Sequence, residues 1–384
     1  MQKHIRREVH RVYKAIVIRL FPTKSQAKLL WQSVGTARWT WNWGLAFQKN
    51  SYSETGKILN INALKRKFTE VRNSEEFKWL QEVSRQVEAN ALIDLDKAYQ
   101  NFYRKLRKGE KGGLPKFKSK GKNTPSFCTR SEKVRVYGKN IYLEKIGRVR
   151  FKAKENLENV KFHNARAKFE NGKWLLKCAI EVLQKKSTII LRDVKMGIDV
   201  GVKSLAVVSC GGRKRVFKNI NRNHVMTRLN KQLKHNQKNL SRKKKGSKKY
   251  LKEKYIVQNI YGRIKRKRHE YIKQTARGIV NMRPKVIVLE DLNIQGMMKN
   301  RHLARAIAEQ NLYLLRMLIE RKAAEAGIKV KLADRFFPSS KTCSNCGHVK
   351  KDLKLSERIY KCPKCGKVID RDFNAALNLE RLAD

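Results

Sequence analysis

Acidic residues are scarce in this sequence of 384 residues. It holds 32 Asp and Glu against 91 Lys and Arg, which gives a formal net charge of +59 at pH 7. Self-repulsion at this charge opposes a compact state unless a polyanion compensates it, so we expect nucleic acid as the partner. A membrane surface is the weaker alternative.

Long apolar runs are also missing. No stretch approaches the ~18 apolar residues of a membrane-spanning helix, and the basic opening at residues 1–7 is not followed by an apolar signal core. These absences favour a soluble, cytoplasmic protein with no membrane partner.

The seven cysteines do not suit a disulfide framework, because their number is odd and four of them form two Cys-x2-Cys pairs. Cys343, Cys346, Cys362 and Cys365 follow the spacing C-x2-C-x15-C-x2-C, which is typical of a tetrahedral Zn²⁺ site. Four thiolates leave no open coordination position, so we predict a structural zinc. Dithiol redox chemistry is the alternative, but no thioredoxin-like pattern surrounds either pair.

The beginning of the chain predicts one strand followed by helices. Residues 12–21 alternate as a strand, and Pro22 ends it. Thr23-Lys-Ser-Gln26 then resembles a capping box that opens a helix. We expect a second amphipathic helix at 36–47, whose Trp and Phe rings have the spacing of core residues.

A Gly-rich basic loop at 108–122 marks a boundary in the chain. After it, residues 133–182 contain short strand-like runs separated by turn signals. Together with the first strand, these runs could close a small β-barrel.

Three short motifs in the second half each place a carboxylate within or next to an apolar run. Asp199 lies in a β-prone run, Glu290 ends another such run, and Asp372 begins a helical period near the C-terminus. Strand alternation puts Glu290 on the face of Val288 and puts Asp291 on the opposite face. Three acids on three separate elements suggest a metal site.

Two of these acids have structural alternatives. Asp199 could bond backbone groups near Gly201, and Asp372 could be the N-cap of its helix. Asp370 and Asp372 cannot share a helix face, and we choose Asp372 as the candidate ligand. Carboxylate oxygens suit a hard cation, so the expected ion is Mg²⁺ rather than a soft metal.

A strongly basic segment separates the first two acidic motifs. Residues 222–268 contain eighteen Lys and Arg and one acid, Glu253. Apolar residues keep helical spacing on both sides of the basic run at 241–249, which predicts two helices flanking a basic turn. We expect them to bind phosphates along a heteroduplex; a solvated helical face or a disordered tail is the alternative.

The motifs Gly-Ile-Asp199-Val-Gly, Val-Leu-Glu290-Asp-Leu and Asp-Arg-Asp372-Phe-Asn-Ala-Ala resemble the split RuvC nuclease of the TnpB family. These insertion-sequence proteins are held to be ancestral to type V CRISPR effectors, and they too carry a four-cysteine ribbon before the last motif. The resemblance covers roughly residues 12–384. It implies an RNase H-like fold, a two-metal Mg²⁺ site at Asp199, Glu290 and Asp372, and an RNA guide.

The resemblance also implies an α+β multidomain architecture, in which a helical lobe splits a small β-barrel and a zinc ribbon interrupts a RuvC α/β domain. The predicted segments are a wedge-like barrel at 1–21 and 108–190, a helical recognition lobe at 22–107, a RuvC nuclease domain at 191–337 and 367–384 with basic helices at 222–280, and a zinc-ribbon target-nucleic-acid-binding domain at 338–366.

The expected function is that of an RNA-guided double-stranded DNA endonuclease of a prokaryotic mobile element. A guide RNA from the transposon end would pair with target DNA next to a short target-adjacent motif, with one protein chain per guide, and both strands would be cut at one RuvC site. Three alternatives stay open: a nuclease-inactive regulator of transposition, a basic zinc-ribbon RNA-binding protein, and an RNA-independent RuvC-like resolvase or transposase.

Overall fold

The structure, a computed structural model, describes residues 9–185, 192–354 and 357–383. The predicted segments reach beyond these ranges at residues 1–8, 186–191, 355–356 and 384, and the predicted boundary at 190 and 191 therefore lies outside the described residues. The described residues form two compact units, 9–185 and 192–383. None of the described helices is long and apolar enough to cross a bilayer.

The first unit opens with strand β1 (Val9–Phe21). Three helices follow, α1 (Lys24–Thr55), α2 (Ile61–Asn73) and α3 (Arg85–Arg107), with a 3₁₀ helix at Glu75–Glu82 before the last. The capping box at the start of α1 is present, since Thr23 and Gln26 bond each other's backbone N–H. The prediction of two helices in this stretch is wrong: α1 is continuous, because no proline interrupts residues 24–55 and its two glycines, Gly35 and Gly44, cost only about 1 kcal/mol each.

Six further strands complete the sheet of the first unit: β2 (Ser126–Cys128), β3 (Arg135–Tyr137), β4 (Asn140–Leu143), β5 (Gly147–Lys152), β6 (Phe162–Glu170) and β7 (Lys173–Lys185). The order is β2-β6-β7-β1-β5-β4-β3, antiparallel throughout. The predicted closed barrel is instead a curled half-barrel. Its edge strands β2 and β3 have three residues each, and among the described residues each pairs with a single neighbour.

Two apolar cores stabilise this unit. Alternate residues of β1, among them Ile16, Ile18 and Leu20, pack on the buried face of the sheet against α1 and α3. The second core lies among the helices, and the predicted core rings pack against it: Trp39, Trp43 and Phe47.

The second unit is built on a five-stranded sheet of β8 (Arg192–Val200), β9 (Ser204–Cys210), β10 (Arg213–Lys218), β11 (Pro284–Glu290) and β12 (Lys329–Ala333). The order is β10-β9-β8-β11-β12. The first three strands form antiparallel hairpins, whereas β8, β11 and β12 are parallel neighbours.

Parallel strands need long crossover connections, and helices supply them here. Helices α4 (His224–Ser241) and α5 (Lys248–Val280) precede β11, while α6 (Ile294–Met297), α7 (Arg301–Gln310) and α8 (Leu312–Glu325) precede β12. The chain ends with a two-stranded ribbon, β13 (Ile359–Lys361) and β14 (Val368–Asp370), followed by α9 (Arg371–Arg381).

Helices cover both faces of the five-stranded sheet. Ile198 of β8 and Ile287 of β11 belong to the core formed with α5 and α8. On the other face, Val288 packs with Leu379 of α9. Gly197 also faces α9, and a Cβ at this position would lie 2.0 Å from the carbonyl oxygen of Ala376. Strand alternation therefore directs both Asp199 and Glu290 towards α9.

Candidate active site

Asp199, Glu290 and Asp372 meet at one edge of the second unit. Strands β8 and β11 are parallel neighbours in which Ile198 lies opposite Leu289, so the next residues, Asp199 and Glu290, lie side by side near the ends of the two strands. Asp372 lies in the first turn of α9, the helix that covers this face. The carboxyl edge of neighbouring parallel strands is a common location for binding sites in α/β sheets.

The three acids influence each other electrostatically. Asp199 is partly exposed, yet it is densely surrounded by protein atoms, and this burial raises its pKa well above the usual range. The negative charges of Glu290 and Asp372 raise the pKa of Asp199 further. Burial also raises the pKa of Glu290. Buried carboxylates that destabilise one another are the arrangement that a divalent cation stabilises.

The three carboxylates do not form a compact three-oxygen group in the described residues. When one oxygen is taken from each of the three acids, the three oxygens do not all lie within 4.8 Å of one another in the described residues. A Mg²⁺ ion with bonds of about 2.1 Å would bring any two of its ligand oxygens within about 4.2 Å. As placed here, the three carboxylates do not form the ligand set of one ion, but their oxygen atoms suit hard divalent cations.

The neighbouring acids have structural partners of their own. Asp370 is the N-cap of α9, accepting a hydrogen bond from the Phe373 N–H at 2.9 Å, and it pairs with Lys214 at 3.3 Å. The N-cap role that the sequence left open for Asp372 is therefore taken by Asp370. Asp291 accepts hydrogen bonds at 2.7 Å from both Arg316 and Arg335, which lower its pKa.

Two buried polar residues hold the surroundings of the acids. The Ser339 hydroxyl donates a hydrogen bond to Oε1 of Glu290, and this bond opposes the burial-driven rise in the pKa of Glu290. Gln310, at the end of α7, donates at 3.1 Å to the carbonyl oxygens of Gly201 and Val202 in the turn after Asp199. Both strand ends are thus fixed by side chains from other elements.

The four predicted zinc ligands form a compact group. The Sγ atoms of Cys343, Cys346, Cys362 and Cys365 all lie within 4.8 Å of one another. The closest pairs are Cys343–Cys365 at 3.6 Å and Cys346–Cys362 at 3.5 Å. A tetrahedral zinc with Zn–S bonds of about 2.3 Å separates its sulfurs by about 3.8 Å, so this cluster fits the ion.

Backbone N–H groups point at two of the sulfurs in this cluster. The Asn345 N–H points to the Cys343 sulfur at 3.4 Å, and the Cys365 N–H points to the Cys362 sulfur at 3.5 Å. Hydrogen bonds from the Lys367 backbone and from the Asn345 side chain lower the pKa of Cys365 to about 6. Thiolate is the form that binds metal.

The basic segment between the first two acidic motifs folds as a helical hairpin. Helices α4 and α5 pack against each other through the apolar residues whose helical spacing is visible in the sequence, joined by Met226: Leu229, Leu233, Ile256, Ile260 and Ile264. Arg242, Lys244 and Lys245 are exposed in the turn between the two helices. Such a dense, exposed positive charge is suited to phosphates.

Three family models match separate parts of this chain. The model described as a helix-turn-helix domain matches residues 12–57, which the structure forms from β1 and the single helix α1. The model described as a probable transposase matches residues 179–301. The third, described as the TNB domain of Cas12f1-like proteins, matches residues 313–379.

A protein of Streptomyces pristinaespiralis named "Putative RNA-guided DNA endonuclease" is 30% identical over 389 residues, which cover 97% of this chain and 89% of that protein. The chain belongs to the TnpB family. Its TnpB-family relative InsQ of Escherichia coli K12, with the same designation, is 27% identical over 382 residues, covering 95% and 91%. The solved mini-RNA-guided endonuclease CRISPR-Cas_phi3 has 10% identity and a TM-score of 0.47, covering 97% and 92%.

Several residues that hold the site of this TnpB-family chain were missed in the sequence. Asn374 and Asn378 of α9 are buried and bond the segment before Cys343. Their spacing of four residues puts both amides on one face of the helix, which was a readable signal. A glycine inside a strand often marks a close backbone approach, and Gly197 is such a position. Ser339 carried no readable pattern.

Proposed function

We propose that this chain is an RNA-guided double-stranded DNA endonuclease that hydrolyses phosphodiester bonds at one site formed by Asp199, Glu290 and Asp372. The observation that carries the proposal is the convergence of these three carboxylates from β8, β11 and α9 at one edge of the sheet. Membership in a family whose members are named RNA-guided DNA endonucleases gives the substrate class.

Mg²⁺ is the proposed cofactor of this site. The acids offer only oxygen atoms, which suit a hard cation, and the family resemblance favours two ions. When bound, such ions activate the attacking water and stabilise the leaving oxygen. The protein's own part is to hold the carboxylates: Glu290 through Ser339, the turn after Asp199 through Gln310, and Asp372 through the Asp370 cap of its helix.

The architecture proposed for the second unit is an RNase H-like RuvC domain, made of residues 191–337 and 367–384. Its strand order, with one antiparallel meander beside two parallel strands, and its helices on both faces support this assignment. The segment 338–366 would be the zinc ribbon inserted before α9, with a structural Zn²⁺ on its four cysteines.

The half-barrel strands, at 1–21 and 108–190, are proposed as the wedge. The helices α1 to α3, at 22–107, are proposed as the recognition lobe. The partners are a guide RNA and the DNA that it pairs with, next to a short target-adjacent motif. The net charge of +59 and the exposed turn of the α4–α5 hairpin support polyanion binding on this scale.

Single alanine variants test the proposal. We expect Asp199→Ala, Glu290→Ala and Asp372→Ala each to cut a guide-matched plasmid on the order of 10³-fold more slowly, or slower still. Each change removes several kcal/mol of transition-state stabilisation by the metal, and about 1.4 kcal/mol corresponds to a tenfold change in rate. RNA and DNA binding should stay close to wild type. Wild-type cleavage by the Asp199→Ala protein would refute the assignment, and Asp291→Asn is the control for an adjacent carboxylate.

A further inference from the structure

Residues 338–344 lie between the two elements that carry Glu290 and Asp372. On one side, the Ser339 hydroxyl donates a hydrogen bond to Glu290 of β11. On the other, Asn378 of α9 donates from Nδ2 to the carbonyl oxygens of Ser339 at 2.8 Å and Thr342 at 2.6 Å. The segment is thereby bonded to both elements.

A second asparagine one helical turn earlier reinforces this attachment. Asn374 donates from Nδ2 to the Thr342 carbonyl oxygen at 2.6 Å and accepts the Ser344 N–H on Oδ1 at 2.9 Å. Both asparagines, Ser339 and Ser344 are buried. Hydrogen bonds between buried polar groups are costly to lose, because the remaining partner has no water to replace them.

The same segment contains the first zinc ligand. Cys343 follows Thr342 directly, and its N–H donates to the His348 carbonyl oxygen at 2.8 Å inside the ribbon. The position of Ser339 therefore depends on two anchors, the asparagines of α9 and the folded zinc cluster. Within the described residues, the Glu290 carboxylate has one hydrogen-bond partner, the Ser339 hydroxyl.

We propose that Ser339 is a positioning residue that orients Glu290 towards the cation site, and that the zinc ribbon acts on this site through Ser339. The hydroxyl fixes one carboxylate oxygen and leaves the other for metal. Hydrogen bonds of this kind to carboxylate ligands contribute about 10–100-fold to metal affinity in known metal sites. The inference rests on the proposed function, because it assumes a divalent cation at Glu290.

Mn²⁺ binding, followed by the electron paramagnetic resonance signal of the free ion, tests this without catalysis. The full chain carrying its RNA is titrated, and the binding that remains in Asp199→Ala is subtracted as RNA background. We expect Ser339→Ala to lower the affinity of the remaining, site-specific Mn²⁺ binding by about tenfold. Ser339→Thr keeps the hydroxyl and should retain most of this affinity. The matched control is Ser340→Ala, since Ser340 is half-buried and its hydroxyl makes no hydrogen bond within the described residues.

A double-mutant cycle tests the connection to zinc. Cys365→Ser removes a zinc ligand on the second cysteine pair, and we expect it to weaken Mn²⁺ binding as well. If the ribbon acts through Ser339, the combined variant loses little more than Ser339→Ala alone; independent effects would add. Thermal melting of each variant identifies any that have unfolded. If Ser339→Ala is unfolded, Ser339→Thr still tests the role of the hydroxyl.

Two results would overturn the inference: unchanged Mn²⁺ affinity in folded Ser339→Ala, or additive losses in the double variant. The first removes the positioning role and the second removes the route from zinc. Both leave the proposed function intact as long as Asp199→Ala is inactive. Full cleavage by Asp199→Ala would instead remove the proposed function itself.

Discussion

Replacing Gly197 with alanine probes the packing that brings Asp372 to Asp199. The new Cβ would lie 2.0 Å from the Ala376 carbonyl oxygen and 2.3 Å from the Glu380 N–H nitrogen, both backbone atoms of α9. Real Cβ contacts essentially never fall below 3.0 Å. No rotamer change can relieve a clash with backbone, so α9 has to withdraw from β8 by about 1 Å or more.

The withdrawal acts on both stability and activity. Overpacking of this kind costs about 1–3 kcal/mol, and α9 is held at its far end because Glu380 accepts hydrogen bonds from Ser209 and from the Gly212 N–H. A displacement of about 1 Å at a catalytic group reduces rates by about 10²-fold. We therefore expect Gly197→Ala to lower both the melting temperature and the single-turnover cleavage rate, the latter by roughly two orders of magnitude.

The matched control is Gly278→Ala in α5. Its Cβ would meet the Phe217 ring at 3.4 Å, which is ordinary contact, and alanine is favoured over glycine inside a helix by about 1 kcal/mol. We expect this variant to melt at or slightly above the wild-type temperature and to cut normally. Wild-type cleavage by Gly197→Ala, with an unchanged melting temperature, would show that α9 does not pack on β8 as described.

Three further predictions concern other parts of the chain. Burial raises the pKa of Glu88 to about 7, although the charge of Arg72 opposes this shift. Between about pH 4.5 and 7 the folded state holds a proton that the unfolded chain has released. The free energy of unfolding should therefore fall as the pH rises from 4.5 to 7. Glu88→Gln should remove this fall, on the order of 3 kcal/mol, in melting curves at pH 5 and 8, and parallel curves would contradict it. Cys365→Ser should reduce bound zinc well below one equivalent by metal analysis; a full equivalent would argue against the four-cysteine site. Changing Arg242, Lys244 and Lys245 together to Gln should lower the slope of log binding constant against log salt for RNA by about 2, whereas an unchanged slope would place the phosphates elsewhere.

The position of the carboxylates could be predicted to a large extent, because strand alternation is a strong local rule. Alternation assigns Glu290 and Asp291 to opposite faces of the strand. In the structure, Asp291 has two arginine partners that no local pattern reveals. The clustering of the four cysteines was predictable for a similar reason, since the C-x2-C spacing follows from the geometry of a tetrahedral ion. Arg316 and Arg335 lie on separate elements from Asp291, so only the fold brings them together.

The errors in the first unit have a different origin. Helix termination depends on weak, competing signals, and the run of aromatic residues after Thr36 was interpreted as a new helix although nothing ends the first one. Barrel closure depends on pairing between distant strand edges, which alternation does not encode. The asparagines of α9 and Ser339 form contacts 30 to 49 residues apart in sequence, and separations of this size lie beyond local patterns.

The central claim is that a bound RNA directs cutting at the carboxylate site. The measurement that tests it most directly is to sequence the RNA that copurifies with the chain and then to assay Mg²⁺-dependent cleavage of a plasmid library that carries the matching target next to randomised bases. The account predicts one discrete RNA and cuts only in matched plasmids beside a fixed short motif, lost in Asp199→Ala. Cutting that survives RNase treatment and ignores the match would contradict it and favour an RNA-independent nuclease.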